Sequence, residues 1–158
     1  MSKEIKFRAW DKMDKVMCDV TYMKFSKVQY TNVGYRKNIR GKLIDENAAL
    51  DENMSGTCVL MRYTGEHDKN GKELYEGDIV SFEAIGEEGY EYREGIDFMN
   101  RAVIVWNDGR FELDRFLSDN SGVLDDMNDC HKDFWNVLKG CEVVGNIYDN
   151  PALLHPQN

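Results

Sequence analysis

The sequence predicts a mainly β protein: a small pseudo-barrel of short antiparallel strands capped by one α-helix, with an N-terminal β-rich segment ahead of it. Three observations carry that prediction. Residues 5–10 alternate apolar and polar side chains up to Trp10, the period-two pattern of a strand with one buried face. The tight-turn dipeptides Asn70-Gly71 and Asp108-Gly109 separate runs rich in Val, Ile, Tyr and Phe. Residues 124–138 carry the one convincing helical stripe, in which Leu124, Met127, Phe134 or Trp135, and Leu138 share a face. Short strands of this kind are best protected by closure, which removes exposed edges.

The elements follow in order. After the first strand, Asp11-Lys12-Met13-Asp14-Lys15 reads as a turn, and residues 16–25 and 27–33 as further strands rich in Val, Tyr, Thr and Phe. Residues 34–56 are polar with scattered apolar positions and read as a loop, or as a short helix around 46–50. Residues 58–63 form a strand. Asn70-Gly71 supplies positive-φ positions for a reversal, residues 74–75 are briefly extended, and Glu76-Gly77-Asp78 turns into a strand at 79–82. Residues 86–100 hold five carboxylates and read as a solvated loop or hairpin tip. Residues 102–106 and 110–113 make a hairpin around Asn107-Asp108-Gly109. Lys139 and Gly140 suit the end of the helix, residues 141–148 close the sheet, and Asn150-Pro151 starts a short terminal helix. Both prolines fall after Asn150, so no proposed strand carries a ladder-breaking residue.

A chain of 158 residues is long enough to bury one core without disulfide or metal staples. The expected organisation is a basic segment over residues 1–56 packed on or beside a barrel domain over 57–158, together one folding unit. Cys18, Cys58, Cys130 and Cys141 share no C-x-x-C spacing and read as reduced thiols of a cytoplasmic protein. Apolar runs such as 102–106 are far too short to cross a bilayer, so no membrane role is expected.

Charge is divided along the chain. Residues 1–42 hold 11 Lys or Arg against four Asp or Glu, net +7, while the rest hold nine against 25, net −16. A basic segment on an acidic body binds that body, a neighbouring copy, or an outside polyanion. The candidate polyanion or self-association surface is Lys12, Lys15, Lys24, Lys27, Arg36, Lys37, Arg40 and Lys42, with Trp10, Tyr22, Phe25, Tyr30 or Tyr35 available to stack bases. The candidate acidic surface for a protein partner is Glu87, Glu88, Glu91, Glu94 and Asp97.

The residues offer little catalytic chemistry. Asp68-Lys69-Asn70 opens like a calcium loop, but Glu73 stands where glycine is required and Ile79 where glutamate is. Cys130 and His131 are adjacent on the expected helix, so their side chains point about 100° apart and cannot chelate as an i, i+4 pair. Glu76 and Asp78 flank Gly77 and read as caps on backbone amides rather than an acid and base pair. The expectation is therefore no catalytic residues, no metal and no cofactor.

Four blocks, taken together, resemble the YopX family: Lys6-Phe7-Arg8-Ala9-Trp10-Asp11, Tyr63-Thr64-Gly65, Asp68-Lys69-Asn70-Gly71-Lys72-Glu73-Leu74-Tyr75-Glu76-Gly77-Asp78-Ile79-Val80, and Glu142-Val143-Val144-Gly145-Asn146-Ile147-Tyr148-Asp149-Asn150-Pro151. The resemblance implies a bacteriophage or prophage protein working in the bacterial host cytoplasm, and a helix-capped pseudo-barrel. It implies no reaction. The leading expectation is a non-enzymatic accessory protein that binds a host or phage protein or assembles with itself. The alternatives are nucleic-acid binding through the basic segment, and an enzyme whose constellation the sequence does not display.

Overall fold

The computed structural model describes residues 4–26, 31–51, 53–85, 97–117 and 131–155. It divides into two compact units, Met1–Tyr63 and Thr64–Asn158. The first unit is a run of antiparallel strands: β1 (Phe7–Asp11), β2 (Val16–Phe25), β3 (Thr31–Ile39), β4 (Lys42–Leu50) and the opening half of β5 (Cys58–His67). Their order across the sheet is β4-β3-β2-β1-β5, so β5 returns to the open side of β1, where Ala9 stands opposite Leu60. One face buries Ala9, Cys18, Val33, Tyr35, Ala48, Leu50, Cys58 and Leu60, with Met54 packed against them. This pairing of Phe7–Asp11 with residues 58–62 carries the unit boundary past the expected residue 56 to Tyr63.

The loop or helix expected over residues 34–56 is corrected. β3 continues to Ile39, and β4 occupies Lys42–Leu50. Val33, Tyr35, Ala48 and Leu50 keep the two-residue period toward the core, and the residues between them are polar because the other face of the sheet is open to water. Arg40 and Gly41 both take positive φ, 51° and 84°, as a two-residue hairpin turn of mirror-image type requires, and the Asn38 side chain accepts the Gly41 amide.

In the second unit, the closing half of β5 pairs with β6 (Glu73–Tyr75), and Thr64 Oγ1 donates to the Leu74 carbonyl. A four-stranded antiparallel sheet follows, ordered β10-β7-β8-β9, from β7 (Asp78–Ile85), β8 (Asp97–Asn107), β9 (Arg110–Asp114) and β10 (Glu142–Asn146). Helix α1 (His131–Gly140) sets Leu138 into a core of Leu74, Val80, Phe82, Ala102, Ile104, Leu113 and Cys141. The first part of the expected helix, residues 124–130, lies outside the described residues, as do 27–30 of the third strand and 86–96 of the acidic loop.

The turns follow their sequence. Asp108 and Gly109 take φ of 49° and 79° between β8 and β9, whereas at Asn70-Gly71 only the glycine is left-handed, at 83°. Asp78 accepts the Tyr75 amide, the capping role its position suggested. The terminal helix is a 3₁₀ turn, Pro151–Leu154.

The class is β-rich as expected, but neither sheet closes into a barrel. The sheets end on β4, β6, β9 and β10 as edges. Closure is not needed where something else covers the apolar face. In the second unit that cover is α1. In the first it includes the segment before β5, where Leu60 donates to the Met54 carbonyl. Among the described residues no helix is long and apolar enough to cross a membrane.

Candidate interaction surface

The eight basic residues singled out from the sequence do not share one surface. The β1–β2 turn and the Arg40-Gly41 turn lie at the same end of the sheet, because Asp19 of β2 stands opposite Arg36 of β3 and both strands run from there to their turns. Lys12, Lys15, Arg40 and Lys42 are exposed at this end, and Lys12 Nζ donates to Ser55 Oγ at 2.9 Å. Lys37 points the other way, into the sheet's buried face. Its side chain is only 4% exposed, and its ammonium bonds Asp11, Asp14 and Glu46, the last at 2.8 Å. Lys37 is thereby removed from the candidate polyanion surface, since three carboxylates already occupy its donors. Lys27, with Glu87, Glu88, Glu91 and Glu94, lies outside the described residues, and Asp97 opens β8.

The Lys37 site is structural. Asp11 Oδ1 accepts the Met13 and Asp14 amides at 2.9 and 2.8 Å, and Oδ2 accepts Lys37 Nζ and the Tyr35 hydroxyl at 3.2 and 3.1 Å. Burial alone would raise the Asp11 carboxyl, but the Asp14 amide, the ammonium and the phenol outweigh it and hold the group below its ordinary 3.8. Hydrogen bonds to Asp14, Glu46 and Asp11 hold the Lys37 ammonium far above the ordinary lysine range. Burial, followed by the Asp11 carboxylate, pushes the Tyr35 phenol well above its ordinary value. Every oxygen of Asp11 is engaged, so this carboxylate has no capacity left to act as a base.

The opposite, open face of β2, β3 and β4 carries three cross-strand rows. Register sets them as Asp19, Arg36 and Asp45; Tyr22, Gly34 and Asn47; and Lys24, Asn32 and Ala49. A bulge makes this possible. Val20 stands opposite Tyr35 and Tyr22 opposite Gly34, so Thr21 is an extra residue, and Tyr22 turns outward where strict alternation from Val20 would have turned it in. The Tyr22 ring lies on Gly34: a Cβ built on that glycine would sit 2.1 Å from ring atom Cε1. Tyr22 nevertheless remains 45% exposed, and Lys24 Nζ stands 5.8 Å from the ring centroid. Arg36 makes a two-pronged bond with Asp45, at 2.7 and 3.1 Å, with Asp19 adding a second attraction.

Of the aromatics considered for stacking, Trp10 and Tyr35 are buried, Tyr22 and Phe25 are exposed, and Tyr30 lies outside the described residues. Gly34 and Asn47 were missed, because residues 34–56 read as a loop, and Asn32, in the expected strand 27–33, was not singled out. The signal that could have found them is the alternation of Val33, Tyr35 and Lys37 matched across Arg40-Gly41 by Glu46, Ala48 and Leu50. In the second unit an open groove of about 510 Å3 brings Ser81 and Glu83 beside Lys69, Met99 and Val137, without an imidazole or thiol among its described lining. Among the described residues no group of three or more His, Cys, Asp or Glu could hold a metal ion.

The family model described as YopX protein matches residues 6–155. The chain is also similar to a solved structure, that of protein EF1440 from Enterococcus faecalis: the two are 30% identical with a TM-score of 0.52, over 97% of this chain and 99% of that one. No curated protein matches the chain.

Proposed function

This chain belongs to the YopX family, and from that premise we propose that it is a non-enzymatic accessory protein of a bacteriophage or prophage, acting in the bacterial cytoplasm by binding through the outer face of β2, β3 and β4. One observation carries the reading: Tyr22, packed on Gly34 yet 45% exposed, presents an aromatic surface on the outer sheet face. Aromatic and Arg side chains are the residue types that anchor binding surfaces, and an exposed aromatic already held in one geometry loses little freedom on binding.

Self-assembly by strand pairing fits less well. β4 is an edge strand, but Asp45 and Glu46 at its centre would meet their own copies if two such edges joined, the usual protection of a natural edge. A partner lying over the face meets Lys24 and Arg36 balanced by Asp19 and Asp45.

A photoreactive phenylalanine analogue in place of Tyr22, irradiated in the bacterial cell, tests the reading without presuming the partner. Adducts at position 22 well above those from the same probe in place of Asp108, an exposed turn of the second unit, are expected. Equal yields from both positions would remove the outer face from consideration. The adduct mass separates a host or phage protein, a second copy and nucleic acid.

A further inference from the structure

Resting on that reading of the outer face, we propose that the partner is single-stranded nucleic acid, with a base stacked on Tyr22. The argument begins with what surrounds the ring. Gly34 lies beneath it, and Asn47 follows in the same cross-strand row. Lys24 and Asn32 form the row on one side, and Arg36 stands in the row on the other. Rows of a sheet are about 7 Å apart and strands about 4.8 Å, so an aromatic platform, two side-chain amides and two cations fall within the footprint of one nucleotide and its phosphates.

Each part has a matching chemistry. A base has a π-face whatever its identity, and stacking on an exposed aromatic is the sequence-tolerant part of single-strand binding. Amides at the ring's margin can both donate to and accept from base edges, which are accessible only where the strand is unpaired. The Lys24 ammonium now stands over the ring, 5.8 Å from its centroid, where a base would lie; displaced from there, its flexible stem lets it reach a phosphate. Arg36 is exposed together with Asp45, so water already competes for that pair. Charge complementarity lies with this unit, since residues 1–63 carry net +4 against net −13 for the remainder. Because Asp19 and Asp45 balance Lys24 and Arg36 on this face, stacking rather than phosphate contact supplies most of the affinity, and the salt dependence is shallow.

Fluorescence anisotropy of a labelled 12-nucleotide deoxyadenosine strand with the full chain tests this. Binding is expected to weaken about ten-fold in Tyr22→Ala and to stay within about three-fold in Tyr22→Phe, which keeps the ring. Lys24→Gln, which leaves the Tyr22 and Gly34 contact in place, is expected to weaken it about three-fold, and guards against a folding defect in Tyr22→Ala. No binding by the folded chain at low salt, equal binding to a duplex of the same length, or equal binding by Tyr22→Ala would overturn the proposal. Cross-links from position 22 that reach protein alone would also overturn it while leaving the outer-face reading intact; equal cross-linking from positions 22 and 108 would overturn both.

Discussion

The aromatic ring of Tyr22 lies against the backbone of Gly34 across the β2–β3 pair, so closely that a methyl group added to the glycine would come within 2.1 Å of it. The contact covers a glycine that would otherwise leave a gap in the sheet, and it holds the ring in one place. In solution the Gly34 α-protons are expected to resonate upfield through the ring current. Gly34→Ala should displace the ring, which is exposed and free to swing outward, while changing global stability by less than about 1 kcal/mol. Tyr22→Leu should abolish the shift in the glycine itself. NMR spectra of the wild type and Tyr22→Leu check the contact, and an unshifted Gly34 in the wild type would count against it.

Acid should weaken the fold through Asp11 and Asp68. At Asp68 the Asn70, Lys72 and Val143 amides at 2.9, 2.9 and 3.0 Å oppose the effect of burial, and both carboxyls are held below their ordinary 3.8. A depressed carboxyl stabilises the native state fully above its unfolded value, and the stabilisation is lost as pH falls through the folded one. Urea unfolding is expected to give a plateau above about pH 5 and a decline below about pH 4. Asp68→Asn should make the decline shallower.

Asp11→Ala should destabilise the first unit by about 3 kcal/mol, because it strands two turn amides and leaves Lys37 short of one partner. Lys37→Met acts on the same cluster from the other side. It leaves Asp11, Asp14 and Glu46 facing one another without their cation, so its destabilisation relative to wild type should be largest near neutral pH. That difference should shrink as acid protonates the carboxylates, and denaturant melts at pH 7 and pH 4 separate the two behaviours.

The buried thiols should be inert while the chain is folded. Burial pushes Cys18 and Cys58 up to about 11 and Cys141 to about 12, so hardly any thiolate is present at neutral pH. Alkylation followed by peptide mapping is expected to leave these three unmodified at pH 8 in buffer and to modify all three in denaturant. Rapid labelling of Cys18 in the native protein would contradict the first unit's core.

Leu138→Ala tests how firmly α1 is held. The side chain is fully buried among Val80, Phe82, Ile104 and Leu113, so truncation should cost about 2–5 kcal/mol and expose Trp135 fluorescence to quencher. An unchanged denaturation midpoint would mean that the helix does not seal this core.

Much of the fold was legible because its signals are local. Strand alternation over residues 5–10, the Asp108-Gly109 turn, the Asp78 cap and the four YopX-like blocks each depend on neighbours in the chain, and the β-rich class followed from them. β3 and β4 were obscured where their outward positions are polar, as at Arg36, Asn38, Asp45 and Asn47, because solvent exposure of one face makes a strand resemble a loop in composition.

The charges were legible as a total and not as a surface. Arg36 and Lys37 are consecutive, and in the sequence both belong to one basic segment; the strand sends one side chain into water and buries the other against three carboxylates. The bulge at Thr21 similarly decides that Tyr22 faces outward onto Gly34. The sequence by itself determined the β class, the turns, the family and the charge imbalance, since these rest on residue type and short spacing. The tertiary structure alone decided which cations remain free and which aromatic stays exposed, since these depend on the register among β1, β2, β3 and β4, a relationship between residues as far apart as Asp11 and Glu46.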